Sequence, residues 1–227
     1  PIILSCLLFC CAATTLSGQT PAAEVPASGD GPVPLFSEDF ESGALSETVW
    51  SREVTGGNVI KVQSEKAAHG RFALRVRCPA PSNKTWAFIM TKHVPDALKR
   101  HHFGRAYMYV TPKPPSRHTI LIMAGTPGFP SNKFEEIATT GGRWQLTYVD
   151  LRPNGDKEDY HSGGLVPLNR WFCLEWEFND QPDHVSIWID GKPVYATGFV
   201  SKATGATRDL VGAFDESAFG FRLWGAA

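Results

Sequence analysis

What this chain lacks narrows its possible functions before any motif is read. Its 22 basic and 23 acidic residues leave a net charge of -1, so no field of one sign exists to gather nucleic acid or an anionic membrane surface. Neither is expected as a partner, and a monomer is expected. There is no G-x-S-x-G elbow, Walker loop, G-x-G-x-x-G turn, H-E-x-x-H or C-x-x-C spacing, which sets aside the hydrolase, nucleotide-binding and zinc machineries those spacings serve. Helical periodicity is also missing. From Phe36 onward no amphipathic helical window exceeds about two turns.

The longest apolar run, Ile2 to Ala13, is too short to span a bilayer and gives way to small and polar residues near Thr14 to Gln19, the pattern of a secretory leader rather than an anchor. Residues 1–19 are therefore expected to be a signal peptide whose start precedes Pro1, and the protein to be extracellular or periplasmic. Residues 20–34, rich in Pro, Ala and Gly, hold too little apolar surface to offset the entropy of ordering and read as a linker. Residues 35–227 then form one domain. Beyond the leader only Cys78 and Cys173 remain, and in an oxidising compartment two cysteines suggest one disulfide.

In this domain the apolar signal has period two and the punctuation is Gly, Pro, Asn and Asp. In Trp171–Phe178 one face carries Phe172, Leu174, Trp176 and Phe178, and the other carries Cys173, Glu175 and Glu177. One face is core and the other is wet. Arg71–Cys78 alternates likewise, but there Cys78 shares the apolar face with Phe72, Leu74 and Val76, which argues against pairing with Cys173. Val185–Ile189, Asp190-Gly191 and the residues after them read as a hairpin, and Pro95–Arg100 as a single helical turn. Many antiparallel strands with short turns predict an all-β sandwich or barrel.

The segments Phe36–Gly43 (FSEDFESG), His69–Val76 (HGRFALRV), Trp171–Glu177 (WFCLEWE), Trp188–Gly191 (WIDG) and Phe214–Trp224 (FDESAFGFRLW) resemble the concanavalin A-like lectin/glucanase jelly roll. More narrowly, Arg105–Gly125 followed by the WFCLEWE and WIDG strands is similar to the Cip1-like group, related to polysaccharide lyases of the alginate and glucuronan type. The resemblance implies an antiparallel jelly-roll β-sandwich, an extracellular polysaccharide as partner, and cleavage of a uronate-containing glycan by β-elimination. It also implies a structural calcium ion joining the first and last strands. Glu38, between Phe36 and Phe40, and Asp215 are the candidate ligands, because an inward carboxylate needs a partner. A salt bridge, or a bulge turning Glu38 outward, would serve as well.

A uronate lyase must neutralise the sugar carboxylate, remove the C5 proton and protonate the leaving oxygen. Arg105, Tyr107 and Tyr109 share one strand face, too polar for a core and aromatic enough for sugar. Arg105 is the candidate neutraliser and the tyrosines candidate substrate contacts. His118 opens the following strand after 111–117 and, if that strand returns antiparallel past Tyr109, becomes the candidate base. Gln145 and Tyr148 fall on opposite faces of Arg143–Leu151, so only one can enter a cleft. The resemblance favours Tyr148 as the acid, with Gln145 as the alternative carboxylate ligand. Tyr160 and His161 in a polar loop, and Arg222 and Trp224 on the last strand, are further substrate-binding candidates. Two alternatives remain: a non-catalytic carbohydrate-binding protein, and a glycoside hydrolase using Glu175 and Glu177 in a partial E-x-D-x-x-E pattern that ends in Asp180. A laminin-G-like adhesion module has no specific residue in its favour.

Overall fold

The computed structural model describes residues 2–10, 34–78, 85–91, 93–111, 118–125, 133–150, 157–180, 183–198, 214 and 216–224. Its elements are β1 (Ile2–Cys10), β2 (Phe36–Glu38), β3 (Trp50–Val54), β4 (Val59–Gln63), β5 (Ala73–Arg77), β6 (Thr85–Thr91), a 3-10 turn (Asp96–Leu98), β7 (His101–Val110) and β8 (His118–Gly125). They continue with β9 (Lys133–Thr140), β10 (Arg143–Asp150), β11 (Lys157–Leu165), β12 (Trp171–Asp180), β13 (Asp183–Ile189), β14 (Lys192–Gly198) and β15 (Glu216–Trp224). Sheet I has eight strands in the order β14-β13-β12-β7-β1-β5-β4, with β2 also paired to β1, and sheet II has seven in the order β11-β10-β9-β8-β15-β6-β3. Among the described residues all the ladders are antiparallel. This is the expected jelly-roll sandwich.

The alternation read from the sequence is the alternation the strands adopt. Along β7, His102, Gly104, Ala106, Met108 and Val110 are buried, while His101, Phe103, Arg105, Tyr107 and Tyr109 are partly exposed. Beside them Phe172, Leu174, Trp176 and Phe178 of β12 are within 1 % of full burial. Gly104 is required here, because a Cβ at that position would overlap the Trp176 indole. The main core joins these side chains to Trp144, Leu146 and Tyr148 of β10 and Ile137 of β9. Aromatic truncation inside such a core costs about 3–5 kcal/mol, because the cavity left behind collapses only partly.

Several expectations are corrected. The connection 111–117 does not return β8 beside β7; β7 pairs with β1 and β12, whereas β8 pairs with β15 and β9 in the other sheet. Tyr160 and His161, expected in a polar loop from Pro153 to Gly164, lie instead on edge strand β11; lone edges tolerate polar sequence, since only one side of the strand is paired. In the intact chain Ile2–Cys10, the apolar part of the expected leader, is strand β1 inside sheet I, while the proposed linker up to 33 lies outside the described residues. Cys78 and Cys173 are both free thiols. Cys78 packs against the main core, where burial pushes its thiol up to about 11, and Cys173 occupies the outer row of β12.

Candidate functional site

On the outer face of sheet II, on the side away from the main core, most of the described side chains are buried. Phe88 of β6, Ile120 and Met123 of β8, Phe134 and Ala138 of β9 and Val149 of β10 form a second apolar cluster there, each at most 5 % exposed. Polar side chains stand in this apolar wall, among them Glu136, Gln145 and His118. Glu136 lies opposite Met123 on one neighbour and Thr147 on the other, Gln145 lies opposite Ala138, and His118 opens β8.

These three are bonded to one another. His118 Nε2 lies 2.7 Å from Glu136 Oε2, and Gln145 Nε2 lies 2.9 Å from His118 Nδ1. Gln145 Nε2 also donates to Thr147 Oγ1 at 2.9 Å, and its Oε1 accepts from Thr140 Oγ1 at 2.5 Å. An amide nitrogen has hydrogens but no lone pair to offer. With the amide so oriented, Nδ1 of His118 is the acceptor and the ring proton sits on Nε2, donated to the Glu136 carboxylate. The imidazole thus has a defined tautomer, a carboxylate behind it and a basic nitrogen next to a neutral amide donor. The His118 and Glu136 side chains are only 11 % and 3 % exposed. Low local polarity strengthens such hydrogen bonds and penalises any that are lost.

Of the sequence-derived candidates, the fold brings His118 and Gln145 together and separates them from Arg105, Tyr107, Tyr109 and Tyr148. Arg105 sits in the outer row of sheet I, where it donates to Glu175 Oε1 from Nε at 3.0 Å and from a terminal nitrogen at 2.5 Å. It therefore cannot neutralise a carboxylate held at His118, because the two sheets stand between them. Tyr148 faces the main core at 3 % exposure, so it is scaffold and not the acid of this cluster. The ring faces of Tyr107 and Tyr109, expected to stack on sugar, already have neighbours: His69 packs edge-on to Tyr107 with centroids 4.5 Å apart, and Lys66 Nζ lies 3.8 Å over the Tyr109 ring, which also meets Trp171. In the ladders, His161 is the partner of Gln145, Tyr160 of Leu146, Arg222 of Ile120 and Trp224 of His118. Positions 161, 222 and 224 thus share register with the candidate site, and 160 with the core row.

Glu136 escaped the sequence reading. In Lys133–Thr140 the acids Glu135 and Glu136 are adjacent, so one falls on each face and the apolar alternation is broken on both. A carboxylate beside Phe134, Ile137 and Ala138 was the available signal.

A second group of titratable residues lies on the outer face of sheet I. Glu177 Oε1 is 2.9 Å from His101 Nε2, and Oε2 is 3.0 Å from His184 Nε2. Glu175 follows two residues earlier, with half-buried Phe103, Tyr107 and Trp188 around the two carboxylates.

Glu38, a candidate calcium ligand, is hydrogen-bonded through both carboxylate oxygens. Its Oε1 accepts from Phe40 N–H and its Oε2 from the Trp50 indole Nε1–H, each at 2.9 Å. The inward carboxylate has its partners without a cation. Asp215 lies outside the described residues, and among the described residues no three His, Cys, Asp or Glu side chains are grouped to hold a metal. Among them, too, no helix is long and apolar enough to cross a membrane.

Comparison with solved structures bears on the fold. The chain is similar to an endo-1,3-β-glucanase from Streptomyces sioyaensis, with 11 % identity, 88 % of each chain covered and a TM-score of 0.50. Weaker similarities include the catalytic domain of a laminarinase from Thermotoga petrophila, at 15 % identity, 83 % and 85 % coverage and TM-score 0.46. Another is the carbohydrate-binding module CBM66 from Bacillus subtilis, at 13 % identity, 77 % and 87 % coverage and TM-score 0.43. At such identities the likeness is one of fold. No protein-family model matches the chain, and no curated protein matches it.

Proposed function

We propose that the protein is a secreted polysaccharide-active enzyme and that it cleaves a uronate-containing glycan by β-elimination at His118. The observation that carries this reading is the 2.9 Å contact between His118 Nδ1 and the Gln145 amide, which puts a base next to a neutral donor able to hold a sugar carboxylate. Gln145 takes the neutralising role expected of Arg105. A carboxylate entering the site replaces Nδ1 as acceptor of the amide hydrogen and leaves the Nδ1 lone pair facing the sugar ring. Nδ1 then removes the C5 proton, the C–H electrons form the C4–C5 double bond, and the C4–O bond breaks toward the leaving sugar. The leaving oxygen takes the proton back from the imidazolium. Glu136, bonded to Nε2–H, stabilises the imidazolium as it forms, the share of general base catalysis that a fixed carboxylate supplies.

A second reading, hydrolysis of a neutral glucan, is favoured by one observation: Glu175 and Glu177 share a face of β12 among half-buried rings, on a fold that a β-1,3-glucanase also has. Against it, both carboxylates are already paired with cations or imidazoles. One panel separates the readings. The purified protein is incubated with glucuronan, alginate, pectate, xylan and a β-1,3-glucan, following both ultraviolet absorbance and new reducing ends. Elimination gives both signals on a uronate polymer and neither on the neutral glucan. New reducing ends without absorbance, lost on Glu175→Gln, would replace the lyase with a hydrolase.

A further inference from the structure

Strand β1 occupies an unusual place. Along one edge it pairs with β7, from Ile2 opposite Val110 to Cys10 opposite Phe103. Its other edge is shared, with Ile2–Leu4 on β5 and Leu7–Phe9 on β2. β5 and β7 do not pair with each other; each meets β1 instead, so the gap between them is one strand wide, about 10 Å from β5 to β7 at the usual spacing. Without β1, sheet I divides into β14-β13-β12-β7 and β5-β4, and β2 has no ladder. Unpaired backbone donors and acceptors would then line both inner edges, which favours capture of an extended segment. The present occupant is the same apolar run whose composition marks it for removal as a leader.

We propose that the space between β5 and β7 is a strand-acceptor slot that holds Ile2–Cys10 by backbone pairing on both edges, so that the segment stays bound after the chain is cut in the 20–34 linker. A cut leader would thus remain as a noncovalent strand of the folded protein.

The test uses the full chain, expressed in the cytoplasm so that the leader is not processed, with a protease site replacing residues 23–29. After cleavage the sample is run on gel filtration and native mass spectrometry. Co-migration of the amino-terminal fragment with the remainder is expected, with Tm within a few degrees of the uncut protein. Loss of the fragment from the complex overturns the proposal. A second measurement does not depend on cleavage: Leu4→Pro in the uncut chain removes a donor from a strand paired on both sides and should lower Tm by about 10 °C or prevent folding, while Ala23→Pro in the linker should not. Equal Tm for Leu4→Pro and the unsubstituted chain overturns it as well.

Discussion

The two outer faces of the sandwich are written with the same period-two alternation and come out differently. On sheet I the outward row is half-exposed, and its charges pair with one another: Arg105 with Glu175, and Glu177 with His101 and His184. On sheet II most of the described outward row is buried, and His118, Glu136 and Gln145 are held in an apolar wall, with Glu136 and Gln145 at 3 % and 1 % exposure. Charge pairs in partial contact with water contribute little and are easily rearranged. A buried, hydrogen-bonded cluster has one arrangement and keeps it. A pointing direction therefore does not identify a site; what covers the face decides whether its polar groups are oriented enough for chemistry.

The comparison breaks most sharply on activity. His118→Ala should lower kcat by about 10²–10⁴-fold, the usual contribution of a general base, with glycan binding retained. Glu175→Gln on sheet I should leave kcat within about twofold, since rim pairs contribute little. The reverse order in a product assay moves the active face to sheet I.

Next in size is stability along β12. Trp176→Ala should cost about 3–5 kcal/mol by urea denaturation, whereas Glu177→Gln should cost less than about 1 kcal/mol. A larger loss from Glu177→Gln would make the outer row of sheet I structural rather than solvated.

The inner face offers a pH test. His102 is 1 % exposed and its Nδ1–H donates to the Leu98 carbonyl at 2.8 Å. Burial pushes its pKa down from 6.5 to about 4. The native state therefore binds fewer protons than the unfolded chain, so this stability is fully present above pH 6.5 and is lost as pH falls toward 4. The loss amounts to about 3 kcal/mol and levels off below that pH. Urea midpoints at pH 7.5 and 4.5 measure it, and His102→Asn should flatten the slope. The smallest expected effect is that of a chelator: with Glu38 partnered by Phe40 and Trp50, excess EDTA should leave Tm unchanged, and a fall would restore the calcium expectation.

Much of this was legible in the chain. The strands around Arg71, Arg105, Arg143, Trp171 and Val185 follow from alternation, as do the opposite faces of Gln145 and Tyr148 and of Cys78 and Cys173. Glu136 was hidden by its neighbour Glu135, and β11 by its polarity at a sheet edge.

Alternation is local: steric alternation of Cβ positions along an extended backbone sets which residues share a face, and that much the sequence determined unaided. Which strands become neighbours was decided only by the tertiary structure. Pairing joins residues far apart in the chain through backbone groups that are the same in every residue, so Arg105 and His118 carry no mark of the sheet they enter. β7 enters sheet I and β8 sheet II, and that division separates Arg105 from His118 while the β8-β9-β10 ladders bring Glu136 and Gln145 to it.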